Sequence, residues 1–160
     1  MDQGPRPIEA EGLFDGLRPR AILWGALVDN VATLVASAVL IGSLAPGIVT
    51  EDEEAAKRAI EAAAAAPEFL IGSLVLGLAC TVLGGYVGAR VAGAHFLRHG
   101  GWVAVASAVI AALFYLVPAD EPALEVPIWY EIAGWSLLLP AGLLGGLVAK
   151  SRSSGRSLAN

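Results

Sequence analysis

The chain has 160 residues, of which 56% are hydrophobic and only 16% charged, against about 45 to 50% apolar and about 25% charged in soluble domains. With a mean hydropathy of +0.68 and its apolar residues gathered in long blocks, it excludes an ordinary soluble fold and makes lipid the solvent for most of its length. A net charge of −5 argues against a nucleic-acid binder, while one Cys, one Met and two His exclude an internal disulfide and leave no metal site or cofactor to be expected.

Residues 1–20 mix Gly, Pro and both charges and read as a flexible N-terminus. Uncharged runs of about 18 residues or more, enough at 1.5 Å per residue to cross a core of about 30 Å, then occur four times. The first span, 21–44, holds one ionisable residue, Asp29, and stops before Pro46 and Gly47. A signal peptide is the competing reading of this block, but an n-region containing Asp2, Glu9, Glu11 and Asp15 is too long and too acidic for one. Thr50 and Glu53 form a capping-box pattern ahead of an Ala- and Glu-rich stretch, so a short extramembrane helix is expected over 51–66, with Glu53–Lys57 and Glu54–Arg58 pairs one turn apart. The second span, 69–97, carries Arg90 near its end; the third covers 101–117 and ends at Pro118; the fourth covers 128–149, with Glu131 at its start and Pro140 inside. A kink is expected at Pro140. Residues 150–160 read as a flexible tail.

Basic residues mark the cytoplasmic side. Arg6, Arg18, Arg20, Arg90, Arg98, Lys150, Arg152 and Arg156 fall on one side of the four spans, against Lys57 and Arg58 on the other. The expectation is an all-α, integral membrane four-helix bundle with both termini in the cytoplasm and the transmembrane domain at 21–149.

Helices in lipid associate through close backbone contact and polar bonds. In the second span Ser73, Gly77, Thr81, Gly85, Ala89 and Gly93 recur every four residues, flanked by Gly84 and Gly88; Gly145 and Gly146 offer a similar surface in the fourth. These predict that spans two and four form the centre of the packing, and that a homo-oligomer can form through Gly-rich faces. The segments LACTVLGGYV (78–87) and LPAGLLGGLV (139–148) agree at two Leu, two Gly and a Val, as a duplicated hairpin would leave them.

Asp29 needs most explanation, because a carboxylate deep in a span costs at least about 2.5 to 3.5 kcal/mol to insert. It is either a protonatable or cation-binding site in a transport path, or a carboxyl bonded to a neighbouring helix, with Thr81, Tyr86 and Arg90 as candidate partners. Asn30 follows it. The candidate intramembrane polar site is thus Asp29, Asn30, Tyr86 and Arg90, with Thr33 and Thr81 the other polar groups available. His95 and His99 stand four apart, half of a metal site at most. Trp24, Trp102, Trp129, Trp135, Tyr115 and Tyr130 sit near span ends, as an aromatic belt does. Walker, nucleophile-elbow, zinc-protease and Cys-x-x-Cys motifs do not occur.

The stretches GGYVGARVAGAHFLRHGGWVAV (84–105) and RAILWGALVDN (20–30) resemble a group of small, uncharacterised bacterial four-span membrane proteins. The resemblance covers about a third of the chain. It implies a bacterial cytoplasmic-membrane address and directs attention to Asp29, Gly84, Gly85, Tyr86, Arg90, His99 and Gly100, without supplying an activity. The expected function is a non-enzymatic packing, assembly or accessory membrane protein; the alternative is a small proton- or cation-coupled transporter or channel using Asp29.

Overall fold

A computed structural model describes residues 14–44, 52–116 and 126–157. It contains five helices, α1 (Pro19–Leu44), α2 (Glu53–Ala65), α3 (Pro67–Ala92), α4 (Phe96–Leu116) and α5 (Ile128–Ser157), and no strand among the described residues. Helices α1, α3, α4 and α5 are long and apolar enough to cross a membrane, so the chain is a helical, multi-pass bundle.

Local chemistry sets the helix ends. Pro19 and Pro67 open α1 and α3, where a missing N–H costs nothing and the fixed φ suits the first turn. The carboxylate of Asp52 accepts the backbone N–H groups of Glu54 (3.1 Å) and Ala55 (3.2 Å). Asp52 therefore caps α2; Thr50, expected to do so, lies outside the described residues. Along α2 the Glu53–Lys57 pair forms at 3.7 Å.

Two span ends differ from expectation. Helix α3 stops at Ala92 rather than 97 because Gly93 turns left-handed at φ 70° and donates its N–H to Ala89. His95 also has positive φ (48°), and α4 starts at Phe96, five residues before the expected 101. His95 thus stands just outside the start of α4, where its carbonyl accepts the His99 N–H at 3.1 Å. At the other end of the chain α5 continues through Pro140 to Ser157, so most of the tail expected to be flexible is helical.

Helices α3 and α4 each pack on α1, on α5 and on each other, whereas α1 and α5 do not touch. The second span, α3, lies at the centre, and its seam with the fourth, α5, is closer than its seam with α4; α5 lies opposite α1. Small residues fill the interior (Ala21, Ala26, Ala89, Ala92, Ala104 and Ala149) while Leu34, Val39, Leu113 and Phe114 point outward. That inversion of a soluble core is what lipid allows, since burying a leucine gains little when the solvent is itself hydrocarbon. Arg18, Arg20, Arg90, Arg98, Lys150 and Arg152 all lie on the side where α1 and α4 begin and α3 and α5 end; α2 lies on the other.

Candidate functional site

Asp29 sits ten residues into α1, about 15 Å from its start along the axis, and is only 3% exposed. Thr81 of α3, equally buried, donates its hydroxyl to the carboxylate at 3.2 Å and also contacts the Gly77 carbonyl. The hydroxyls of Thr33 on α1 and Ser107 on α4 turn toward the same carboxylate. The Ser107 Oγ is wholly buried but makes no hydrogen bond of standard geometry, alone in this among the buried side-chain polar atoms of the described residues. Neutral donors from three helices therefore surround one acid.

These residues close the inner end of a cavity of about 310 Å³ that extends toward the α2 side between α1, α3, α4 and α5. Since α1 and α5 do not touch, the space between them is left to the cavity. Asn30, Thr33 and Ser37 line it from α1, Ser73, Gly77 and Thr81 from α3, Ser107 from α4, and Tyr130, Glu131 and Trp135 from α5; Leu74, Leu78 and Leu138 supply apolar wall. The Ser73 and Tyr130 hydroxyls bond across it at 3.0 Å. Thr81 lies eight residues beyond Ser73, so this bond stands about 12 Å above the Asp29 level.

On the basic side the cavity stops at a floor of glycines from α1, α3 and α5, one turn below its lining there, with Val103 of α4 packed among them. An ideal Cβ built on Gly84 would lie 2.7 Å from the Gly25 carbonyl oxygen and 2.7 Å from the Asp29 Cβ; on Gly85, 2.6 Å from the Gly142 carbonyl; on Gly88, 3.0 Å from the Ala21 carbonyl. Gly100, Gly145 and Gly146 press against backbone in the same way. Only glycine admits such approach. Gly77, by contrast, has nothing within 4 Å of its would-be Cβ, and neither has Gly93. The evenly spaced stripe on α3 therefore serves three purposes: Ser73, Gly77 and Thr81 line a cavity, Gly84, Gly85, Gly88 and Ala89 pack, and Gly93 ends the helix.

Of the expected polar site, Asp29 and Asn30 belong to this cavity. Asn30 spends its amide N–H on the Ala26 carbonyl at 2.8 Å. Tyr86 and Arg90 do not belong: the Tyr86 ring lies under the Arg152 guanidinium at 5.6 Å, and Arg90 is nine residues past Thr81, about 13 Å toward the basic side. No ion pair joins Arg90 to Asp29. Sequence reasoning missed Ser107, and assigned Tyr130 only to an aromatic belt and Glu131 only to a span end. A lone serine in an apolar helix carries no signal that separates a site hydroxyl from a small packing residue.

A second polar cluster ties down the basic side. His99, fully buried, accepts the Arg18 backbone N–H through Nε2 at 3.0 Å, while its Nδ1 contacts the His95 carbonyl at 3.2 Å. This arrangement makes His99 a neutral cap on the start of α1, with Nδ1 carrying the proton. Phe14 stacks on Trp102 at 5.2 Å, and Arg98 donates to the Asp15 carbonyl at 3.3 Å. Residues 14–18 thereby strap the beginning of α1 to α4. His95 is not part of a ligand set, and no group of three or more His, Cys, Asp or Glu fit to hold a metal occurs among the described residues.

Chemically, a buried carboxylate met only by hydroxyls can hold a proton or a cation. Comparison of the chain with protein-family profiles, with characterised proteins and with solved structures finds no match.

Proposed function

We propose that this chain is a small ion-coupled transporter of the bacterial cytoplasmic membrane, in which Asp29 binds and releases a proton or another cation. One observation carries the reading: a cavity with a polar inner end reaches a buried acid that has no basic partner among the described residues, directly above a closed glycine floor. A purely structural aspartate needs no cavity reaching it. A transport site needs access from one side and a barrier on the other, because a site open to both sides dissipates the gradient it couples to.

The distribution of Lys and Arg supports placing the basic side in the cytoplasm, so the cavity faces outward and the floor closes the cytoplasmic half. Glu131 at the mouth and the acids of α2 then give the outer entrance a potential that concentrates cations. The packing and assembly reading has less support. The glycines on which a homo-oligomer would rely, Gly84, Gly85, Gly88, Gly145 and Gly146, are engaged within a single chain. The chain is a non-enzyme on this reading.

The test is proton movement in proteoliposomes, read with a dye in the lumen when external Na⁺, K⁺ or alkylammonium salts are added. Wild-type protein exchanges protons with at least one of these cations, and Asp29→Asn, shown to be folded by its elution profile, does not. Equal traces for wild type, Asp29→Asn and protein-free vesicles would overturn the proposal. Reporter fusions at residues 55, 99 and 160 check the orientation and should read outside, inside and inside.

A further inference from the structure

We infer that the cavity is a binding site for a small primary alkylammonium ion, with the ammonium on Asp29, Thr33 and Ser107 and the alkyl chain along Leu74, Leu78 and Leu138. The inference rests on the transport reading and names its substrate class.

Three features point to this chemistry. First, the inner end joins one carboxylate to hydroxyls whose lone pairs are open to a donor. Thr81 alone among the described residues donates to Asp29 with standard geometry, and the Ser107 Oγ, in a side chain only 6% exposed, turns toward the carboxylate without a hydrogen bond of standard geometry. An unsatisfied buried hydroxyl costs about 1 to 3 kcal/mol, and the uncompensated carboxylate beside it calls for positive charge. An ammonium group carries one positive charge and three N–H donors, enough for the carboxylate and two hydroxyls. Second, a bare hard cation takes about six or more oxygens at short range, and one carboxylate with three hydroxyls supplies at most five, so such an ion would have to keep part of its water. Third, the rest of the wall is amphipathic. Above the acid the wall is formed by leucines, and Tyr130 at the mouth and Trp135 deeper along α5 add aromatic surface that attracts cations. A volume of about 310 Å³ lies at the low end of small-molecule sites, about 300 to 1,000 Å³, and suits a short-chain amine with a few waters.

Binding to the purified full-length protein tests this by titration calorimetry and thermal unfolding, with n-butylammonium, tetramethylammonium, Na⁺ and K⁺ chlorides at matched ionic strength. Only n-butylammonium should bind and raise the unfolding temperature, because tetramethylammonium has the charge without the N–H donors and the alkali ions lack the alkyl chain. Ser107→Ala should weaken binding about 5- to 10-fold, and Asp29→Asn should abolish it. Gly77→Leu provides a variant that does not touch the acid: it projects into open space, should fold, and should block the cavity. Equal response to tetramethylammonium, response to Na⁺ or K⁺ alone, binding that survives Gly77→Leu, or no binding of any salt would each overturn the inference. If n-butylammonium fails while Asp29-dependent proton exchange with Na⁺ or K⁺ persists, the substrate class is wrong and the transport reading stands. If Asp29→Asn also changes nothing in the proton assay, both fall.

Discussion

The same substitution, Gly to Ala, should have opposite effects at two positions eight residues apart on one stripe of α3. At Gly85 the new Cβ lies 2.6 Å from the Gly142 carbonyl oxygen and 3.1 Å from the Gly142 Cα, where ordinary contact begins at 3.4 Å. Relieving the closer contact therefore moves α3 and α5 apart by about 0.8 Å. The obstacle is backbone and cannot rotate away, which places the strain in the upper part of the usual overpacking cost of about 1 to 3 kcal/mol. Alanine recovers about 0.5 to 1 kcal/mol of backbone entropy, leaving a net loss of about 1 to 2 kcal/mol. At Gly77 nothing opposes the methyl group, so the entropy gain stands alone and the variant is stabilised by about 0.5 to 1 kcal/mol. The two variants should differ by about 1.5 to 3 kcal/mol, roughly 10- to 140-fold in unfolding equilibrium at 1.4 kcal/mol per decade. Reversible unfolding in mixed micelles, followed by helical circular dichroism, measures it. Equal destabilisation by both substitutions would refute the division of the stripe into cavity wall and packed floor.

Asp29→Asn and Arg90→Ala should have additive effects on stability, within about 0.5 kcal/mol, because their helical levels differ by about 13 Å; a coupling above about 1 kcal/mol in a double-mutant cycle would mean that the two side chains meet. Ser73→Ala with Tyr130→Phe should instead show a coupling of about 0.5 to 1.5 kcal/mol, the worth of their 3.0 Å bond across the cavity mouth. His99→Ala should cost about 1 to 3 kcal/mol through loss of the α1 cap and the buried ring. It should also red-shift the emission of Trp102 as residues 14–18 detach, and unchanged emission would show that the strap holds without the imidazole.

The number of spans was legible because a bilayer imposes a length on any apolar helix that crosses it, and Asp29 stood out as the charge deep inside one of them. Helix ends were less so. Only one residue, Gly93, separates the end of α3 from four further apolar or neutral positions, and nothing local says that it turns left-handed rather than continuing, as Gly84, Gly85 and Gly88 do. The site was legible only as far as its acid. Thr81 could be named because α1 and α3 are neighbours in sequence as well as space, whereas Ser107 and Tyr130 reach the cavity from helices whose placement depends on α1 and α5 remaining apart. That gap is a property of four helices together. Four-residue spacing puts Gly77 and Gly85 on one face of α3, but which of them meets a partner backbone is decided by the angle between helices, and no single helix encodes it.

The floor beneath Asp29 is largely backbone, with the buried Val103 side chain wedged against Gly25 and Gly88, and on the transport reading this governs how it can open. A gate built from side chains alone flickers as rotamers exchange, in picoseconds to nanoseconds where they are exposed. Where backbone meets backbone, at Gly84 and Gly25, Gly85 and Gly142, and Gly145 and Val82, no rotamer can yield. Passage toward the basic side therefore requires whole helices to shift, a collective motion on the microsecond to millisecond scale.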